Sequence, residues 1–353
     1  MTIAPSTAPL TLTTSITEII LPGLVEPSGL QVHRRPLEAP RAGQTLIRIE
    51  ATGVSFAEQG MRRGRYPGQP RFPFVPGYDL VGTVQDVGRG VNPALIGTRV
   101  AAATKTGGWA THALVPAVDL VPVPAALDPA EVETVIVNGI TAWQMLHRNA
   151  RARADQTILV HGANGGVGNV LVQLARHAGI RVIGTAAPRH HAALRALGVE
   201  PLDYAAPDLA AQIRTLAPDG VDAAFDHLGL ASARRSFGLL ARSGTLVAYG
   251  MAADLNERGS LLSMFGKMVG QIIVWNALPV RRRASFYDFW GGKTLTPRAF
   301  RRKQHEDLTQ VLSLLAEGAI TPHIAARFPL QNVAQAMELA ESRTVLGKVV
   351  LLP

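Results

Sequence analysis

His161-Gly162-Ala163-Asn164-Gly165-Gly166-Val167-Gly168 is the stretch on which the fold turns. It closes a run of strand character, Thr157-Ile158-Leu159-Val160-His161, and opens a segment where Val167, Val170, Leu171, Leu174, Ala175 and Ala178 recur at steps of three and four. A glycine turn between a strand and an amphipathic helix lets the backbone bend sharply and approach a pyrophosphate. The helix N-terminus then offers unpaired N–H groups and a positive dipole end to the anion. Gly162, Asn164, Gly165, Gly166, Val167 and Gly168 are therefore the candidate phosphate loop, with Gly168 permitting close helix–sheet contact.

Outward from the loop, strand and helix patterns alternate, as in a doubly wound parallel sheet. Arg181 to Gly184 reads as a second strand and His191 to Leu197 as a helix. Val221 to Phe225 and Gly244 to Tyr249 read as further strands, and Gln271 to Trp275 as an apolar edge strand. Helices follow near Glu306 to Glu317 and Asn332 to Glu341, then a last strand, Lys348 to Leu352. The first third differs. Thr45 to Ala51 alternates apolar and polar residues, and short runs at Asp79 to Val84, Thr98 to Ala101 and Trp109 to Val115 are broken by Gly and Pro, suggesting a compact barrel-like module. At 353 residues, two domains are expected. The pattern divides at Asn138: residues 1–137 with 278–353 form one unit, and 138–277 form a dinucleotide-binding unit.

The end of the second strand decides the nucleotide. A site for NADH places an acid there to hold the ribose hydroxyls. Here the stretch reads Gly184-Thr185-Ala186-Ala187-Pro188-Arg189-His190-His191, without an acid. Arg189 and His190 suit a 2′-phosphate, so NADPH is the expected cofactor, with Thr185 beside it.

Composition limits the chemistry. The chain has no cysteine, which excludes disulfides, thiol catalysis and thiolate zinc sites. No apolar run is long enough to span a bilayer, and residues 1–15 lack the pattern of a signal peptide. They read as a disordered tail, and a cytoplasmic location is expected. The formal charge of +9 is concentrated: Arg281 to Lys303 carries eight basic residues against Asp288 alone. Such a segment suits a solvated face, or phosphate, coenzyme A, an acidic carrier protein or nucleic acid.

With these features in place the chain resembles the medium-chain dehydrogenase/reductase superfamily, in its quinone oxidoreductase branch. The resemblance rests on ordered motifs: Gly53-Val54-Ser55-Phe56-Ala57-Glu58, Gly64-Arg65-Tyr66-Pro67, Pro76-Gly77-Tyr78-Asp79-Leu80-Val81-Gly82, Asn138-Gly139-Ile140-Thr141-Ala142-Trp143, the phosphate loop, and Gly347-Lys348-Val349-Val350-Leu351. It implies an α/β protein with an N-terminal GroES-like β-barrel catalytic domain, a Rossmann domain and a C-terminal return to the barrel. Zinc-dependent alcohol dehydrogenases of the superfamily carry Cys where Ser55 stands and Gly-His-Glu where this chain has Gly77-Tyr78-Asp79. With those ligands missing and the histidines scattered, no metal site is expected. A quinone or enone needs alignment with the nicotinamide and a donor for its oxygen, not a metal.

The resemblance also nominates site residues. Ser55 falls where relatives carry an Asn beside the substrate, and its hydroxyl is a candidate donor to the developing oxyanion. Tyr66 matches a cleft tyrosine that either stacks on a flat substrate, donates its proton or simply packs. Thr141 matches a threonine beside the nicotinamide, Tyr204 a tyrosine near the adenosine phosphate, and Gly250 and Asn276 positions near the cofactor. Lys348 and Arg343 are expected to reach the cofactor phosphates. Asp226-His227 reads either as a catalytic pair or as a strand-end Asp beside the cleft. Three functions stay open: a small-molecule quinone or enone reductase, an enoyl reductase on coenzyme A- or carrier-bound acyl chains, and a non-catalytic NADPH- or RNA-binding protein. The apolar edge strand and the resemblance both suggest a homodimer.

Overall fold

The computed structural model describes residues 15–252 and 260–353. The tail expected to be disordered lies outside these residues, except for Ser15, which opens the first strand. β1 (Ser15–Ile20) and β2 (Gln31–Pro36) pair antiparallel. β3 (Gln44–Val54) is long and centrally placed. After it come helix α1 (Phe56–Arg62) and strands β4 (Asp79–Val87), β5 (Arg99–Ala103), β6 (His112–Pro116) and β7 (Val121–Pro122). The last begins a path into helices α2 (Pro129–Val135) and α3 (Val137–Trp143). Register shifts in β3 at Leu46/Ile47 and Ile49/Ala51 bend the strand, so it pairs with β4 along one edge and with β6 along the other. Ile47, Ile49, Leu80, Val84 and Val100 fill the space that this bending encloses.

The second half alternates. β8 (Thr157–His161), α4 (Gly166–His177), β9 (Arg181–Ala186), α5 (His191–Ala196), β10 (Glu200–Asp203), α6 (Leu209–Leu216), β11 (Val221–Asp226), α7 (Leu230–Gly238), β12 (Leu240–Ala248), α8 (Leu261–Ala277) and β13 (Arg283–Phe286) follow in order. Their six strands form one parallel sheet in the order β10-β9-β8-β11-β12-β13. The order reverses between β8 and β11, and a crevice opens there at the strands' carboxyl ends. Ile158, Leu159 and Val160 are fully buried, as a central strand covered by helices on both faces requires. α4 supplies Val170, Leu171, Leu174 and Ala175 to that cover.

The chain then returns. α9 (Pro297–Ala316), β14 (Ile324–Pro329), α10 (Val333–Glu341) and β15 (Lys348–Leu352) rejoin the first unit, and β15 pairs antiparallel with β3. Its sheet runs β14-β15-β3-β4-β5-β7, with β6 on β3. The architecture is an α/β protein with a GroES-like barrel and a Rossmann sheet.

Two expectations are corrected. Gln271 to Trp275 is not a strand but the last turns of α8. Met268, Ile272 and Trp275, at steps of four and three, pack on the sheet, with Trp275 stacked on Phe237 at 4.5 Å. The edge strand of the parallel sheet is β13. Trp109 also precedes its strand; its indole is buried and donates to the Gly53 carbonyl.

Candidate active site

The loop after β8 is built to admit phosphate. Gly162 takes a left-handed conformation with φ +65°, and a Cβ there would lie 2.5 Å from the His227 ring. A Cβ on Gly166 would strike the Asn138 amide at 2.7 Å, and one on Gly168 the Gly162 carbonyl at 2.2 Å. α4 opens after its N-cap Gly165 without a side-chain cap, so no side chain takes up the N–H groups of its first turn. Val167 is half-buried beside them. The Asn164 carbonyl accepts from Gly347, tying the loop to the C-terminal return. The residues present therefore fit a dinucleotide. Thr185 supports the loop from beneath: it is buried, accepts from the Gly162 N–H at 3.3 Å and lies 3.1 Å from His161 Nδ1.

Arg189 stands exposed just beyond β9 and is aimed by two contacts. Its Nη2 donates to the Arg343 carbonyl at 2.9 Å and its Nε to His190 Nε2 at 3.2 Å. His190 is buried, and burial together with the Arg189 charge lowers its pKa. It accepts from Arg189 and orients it, a hydrogen-bonding part beside the expected 2′-phosphate site. Tyr204 is 60% exposed after β10.

At the carboxyl ends of β11 and β12, Asp226 and His227 do not act as a pair. The Asp226 carboxylate accepts from Ser232 at 2.7 Å, Ser236 at 2.8 Å and the Leu228 N–H at 2.9 Å, which anchors α7. His227 lies over Gly162, 3.5 Å from the Tyr249 hydroxyl, and burial pushes its pKa down to about 4. It is a neutral imidazole in the crevice. Gly250 leaves room for it: a Cβ there would sit 3.0 Å from the His227 carbonyl.

The catalytic side is aromatic and hydroxylic. Ser55 caps α1 in a reciprocal capping box: its hydroxyl bonds the Glu58 carboxylate, and its N–H donates to Glu58 at 2.8 Å. The hydroxyl is thereby bonded within the helix cap, and the expected oxyanion-donor role would require it to turn away from Glu58. Glu58 also accepts from the Tyr78 N–H at 2.7 Å, so one buried carboxyl, its pKa raised by burial, locks α1 to the Pro76-Gly77-Tyr78 turn. Tyr66 is half-buried, and its phenol is 2.5 Å from that of Tyr78. The Trp290 indole N–H donates to the same Tyr78 oxygen. Tyr78, Phe289 and Trp290 stack edge and face with centroids 5.0–6.0 Å apart. Burial pushes the Tyr66 pKa up to about 12, so its phenol is protonated at neutral pH. Thr141 is buried on α3 next to the Tyr287 phenol, which donates to Gln144 at 3.1 Å.

Two cofactor candidates sit elsewhere. Lys348 is buried with its ammonium 3.1 Å from Asp79 and 2.5 Å from Glu133, an ion cluster at the junction of β15, β4 and α2. The two carboxylates hold its pKa well up against burial, and a phosphate would have to displace them. Asn276, on α8, gives its amide wholly to Ala284, donating at 2.8 Å and accepting at 2.9 Å. It fastens the edge strand. Tyr78, Glu58, Trp290 and Tyr287 were missed. Glu58 had a readable signal in Ser55-x-x-Glu58, whereas Trp290 meets Tyr78 across 212 residues and had none.

The comparisons with known proteins agree with this geometry. Residues 41–125 match the alcohol dehydrogenase GroES-like domain, and 197–351 match a domain described as zinc-binding dehydrogenase. Among the described residues no group of three or more His, Asp or Glu is placed to hold a metal ion, and no helix is long and apolar enough to cross a membrane. The human synaptic vesicle membrane protein VAT-1 homolog is 32% identical over 347 residues, 95% of this chain and 86% of that one. Rat quinone oxidoreductase is 30% identical, over 89% of this chain and 90% of its own. A mycobacterial structure complexed with NADPH superposes with a TM-score of 0.79 at 28% identity, covering 96% of this chain and all of that one. With the crevice, the glycine loop and the cysteine-free catalytic side already in view, the chain belongs to the medium-chain dehydrogenase/reductase superfamily, in its zinc-independent quinone oxidoreductase branch.

Proposed function

We propose that this chain passes hydride to a quinone or another α,β-unsaturated carbonyl. At the coarser level it is an NADPH-dependent oxidoreductase. The observation that carries the finer reading is the cluster of Tyr66, Tyr78, Phe289 and Trp290, rings set at 59–83° to one another and apolar apart from two neutral phenols and an indole N–H. Such a cluster suits a conjugated acceptor with a polarisable oxygen.

When bound, NADPH would supply hydride. The uncapped N–H groups at α4 would hold its pyrophosphate, Arg189 the 2′-phosphate and Tyr204 the adenosine end. Thr141 and Gly250 would border the nicotinamide, His227 lies over Gly162, and the Tyr66 phenol would donate to the acceptor oxygen. The acceptor gains a hydride and then a proton from solvent, giving a quinol or a saturated carbonyl.

The carrier-protein and RNA readings drew on the basic segment. Arg301 pairs with Asp119 at 2.6 Å and Arg302 with Glu306 at 3.8 Å, while Arg282 donates to the Ala241 and Phe237 carbonyls. Arg282 and Arg301 are thereby tied into the fold, whereas Arg302 stays largely exposed; the tied pair favours a small free acceptor. A homodimer joined through α8 and β13 is part of the proposal: Leu262, Ile273 and Val274 are exposed beside an edge strand with no outer neighbour. Sedimentation of the parent and of Ile273→Glu tests it; a parent that stays monomeric rejects it. The reductase reading is tested by NADPH oxidation with a benzoquinone, a cyclic enone, an alkenal and a crotonyl thioester; turnover on the thioester alone would reject the free acceptors.

A further inference from the structure

The Tyr78 hydroxyl sits in the interior with two polar neighbours, the Trp290 indole N–H and the Tyr66 hydroxyl at 2.5 Å. An indole N–H can only donate, so the Tyr78 oxygen accepts from Trp290. The Tyr78 proton then needs an acceptor of its own. Tyr66 is the partner within reach among the described residues. If Tyr66 instead donated to Tyr78, the Tyr78 proton would be buried without a partner, the arrangement that costs most for a buried donor. The series therefore runs one way, from Trp290 to Tyr78 to Tyr66, and leaves the half-buried Tyr66 with its own proton to donate.

We infer that Tyr78 and Trp290 are positioning residues that turn Tyr66 outward as a hydrogen-bond donor to the carbonyl oxygen of the acceptor. The inference rests on the reductase reading for the identity of that oxygen, but not for the direction of the series. Each donor in a line polarises the next, so the outermost O–H is a better donor than an isolated phenol. Two details fix the geometry. Tyr66 and Tyr78 meet edge to face at 83°, which brings their hydroxyls together while their rings stay apart. Trp290 is held by Phe289 at 5.0 Å, Phe300 at 6.0 Å and the Lys293 ammonium at 4.2 Å, so its N–H has a set direction. Because Trp290 follows the edge strand of the nucleotide sheet while Tyr66 and Tyr78 belong to the barrel, the row is complete only when the two units are packed together.

The test uses 4-nitrophenol as a stand-in for the developing oxyanion, bound to the NADP⁺-loaded protein and titrated by its visible phenolate absorbance. In the parent, bound 4-nitrophenol ionises at a lower pH than free, and Tyr66→Phe abolishes the difference. Tyr78→Phe and Trp290→Phe each shrink it, and each lowers kcat on a benzoquinone about tenfold with the NADPH KM unchanged, as loss of one donor acting through another implies. The double variant Tyr66→Phe/Tyr78→Phe is no slower than Tyr66→Phe, since Tyr78 has nothing left to act through. Urea midpoints show whether each variant is folded, and Trp290→Phe carries the test if Tyr78→Phe is not. Parent-like kcat and titration in the folded variants overturn the inference, as does a double variant whose losses multiply. A parent that reduces no quinone or enone yet titrates as described rejects the reductase reading alone.

Discussion

Arg189→Ala isolates the part of the cofactor site that distinguishes NADPH from NADH. The guanidinium is exposed, and it is oriented by the Arg343 carbonyl at 2.9 Å and by His190 at 3.2 Å, so its remaining N–H groups form a fixed fork. A hydrogen bond to a charged group contributes about 1.5–3 kcal/mol. Exposure and salt screening place this one at the low end, about 1.5 kcal/mol, or about tenfold in affinity. NADH has no 2′-phosphate and should bind the variant as it binds the parent. The assay is fluorescence titration with each nucleotide at two salt concentrations. The NADPH Kd should rise about tenfold in the variant at low salt and the gap should narrow at high salt, because the lost term is Coulombic. An equal loss for NADPH and NADH would refute the reasoning, since it would make Arg189 a structural prop of the crevice. No change for either would place the 2′-phosphate elsewhere.

Other expectations follow from the same geometry. Lys348→Met leaves Asp79 and Glu133 buried without their cation, and chemical denaturation should show a loss of about 3–5 kcal/mol while NADPH affinity in the folded protein is unchanged; a selective loss of NADPH affinity would restore the lysine to the phosphates. Gly168→Ala forces a methyl against the Gly162 carbonyl at 2.2 Å, so NADPH titration should show binding lost, and parent-like affinity would mean that the loop is not the cradle. His227 stays neutral in the folded chain down to about pH 4, whereas an unfolded histidine takes a proton near 6.5. The unfolded state therefore binds more protons between those values, and stability should fall as pH drops through that window. Urea midpoints for the parent and His227→Asn should differ in slope between pH 7 and 5, and identical slopes would contradict the neutral imidazole.

What the sequence made legible was local. The glycine loop, the face of α4 and the alternation of the second half each repeat within a few residues, and each is present in the fold. The misreadings had tertiary causes. Gln271-Ile272-Ile273-Val274-Trp275 is rich in strand formers, but Met268, Ile272 and Trp275 gain more by burial on the sheet than the β-branched residues lose in a helix. Arg283-Ala284-Ser285-Phe286 alternates polar and apolar residues but over only four positions, too few to stand out, and it is a strand because Asn276 clamps Ala284 and β12 offers a free edge. Ser55 was read through its relatives although Ser55-x-x-Glu58 is itself a capping signature. Lys348 shows nothing in sequence of its burial, because Asp79 and Glu133 reach it from distant positions.

The central claim is that bound NADPH reduces a conjugated carbonyl without a metal. It is tested most directly by following NADPH oxidation with a benzoquinone and a cyclic enone after exhaustive dialysis against a chelator. Undiminished turnover is predicted, faster with NADPH than with NADH. Activity that disappears on chelation and returns with zinc would contradict it.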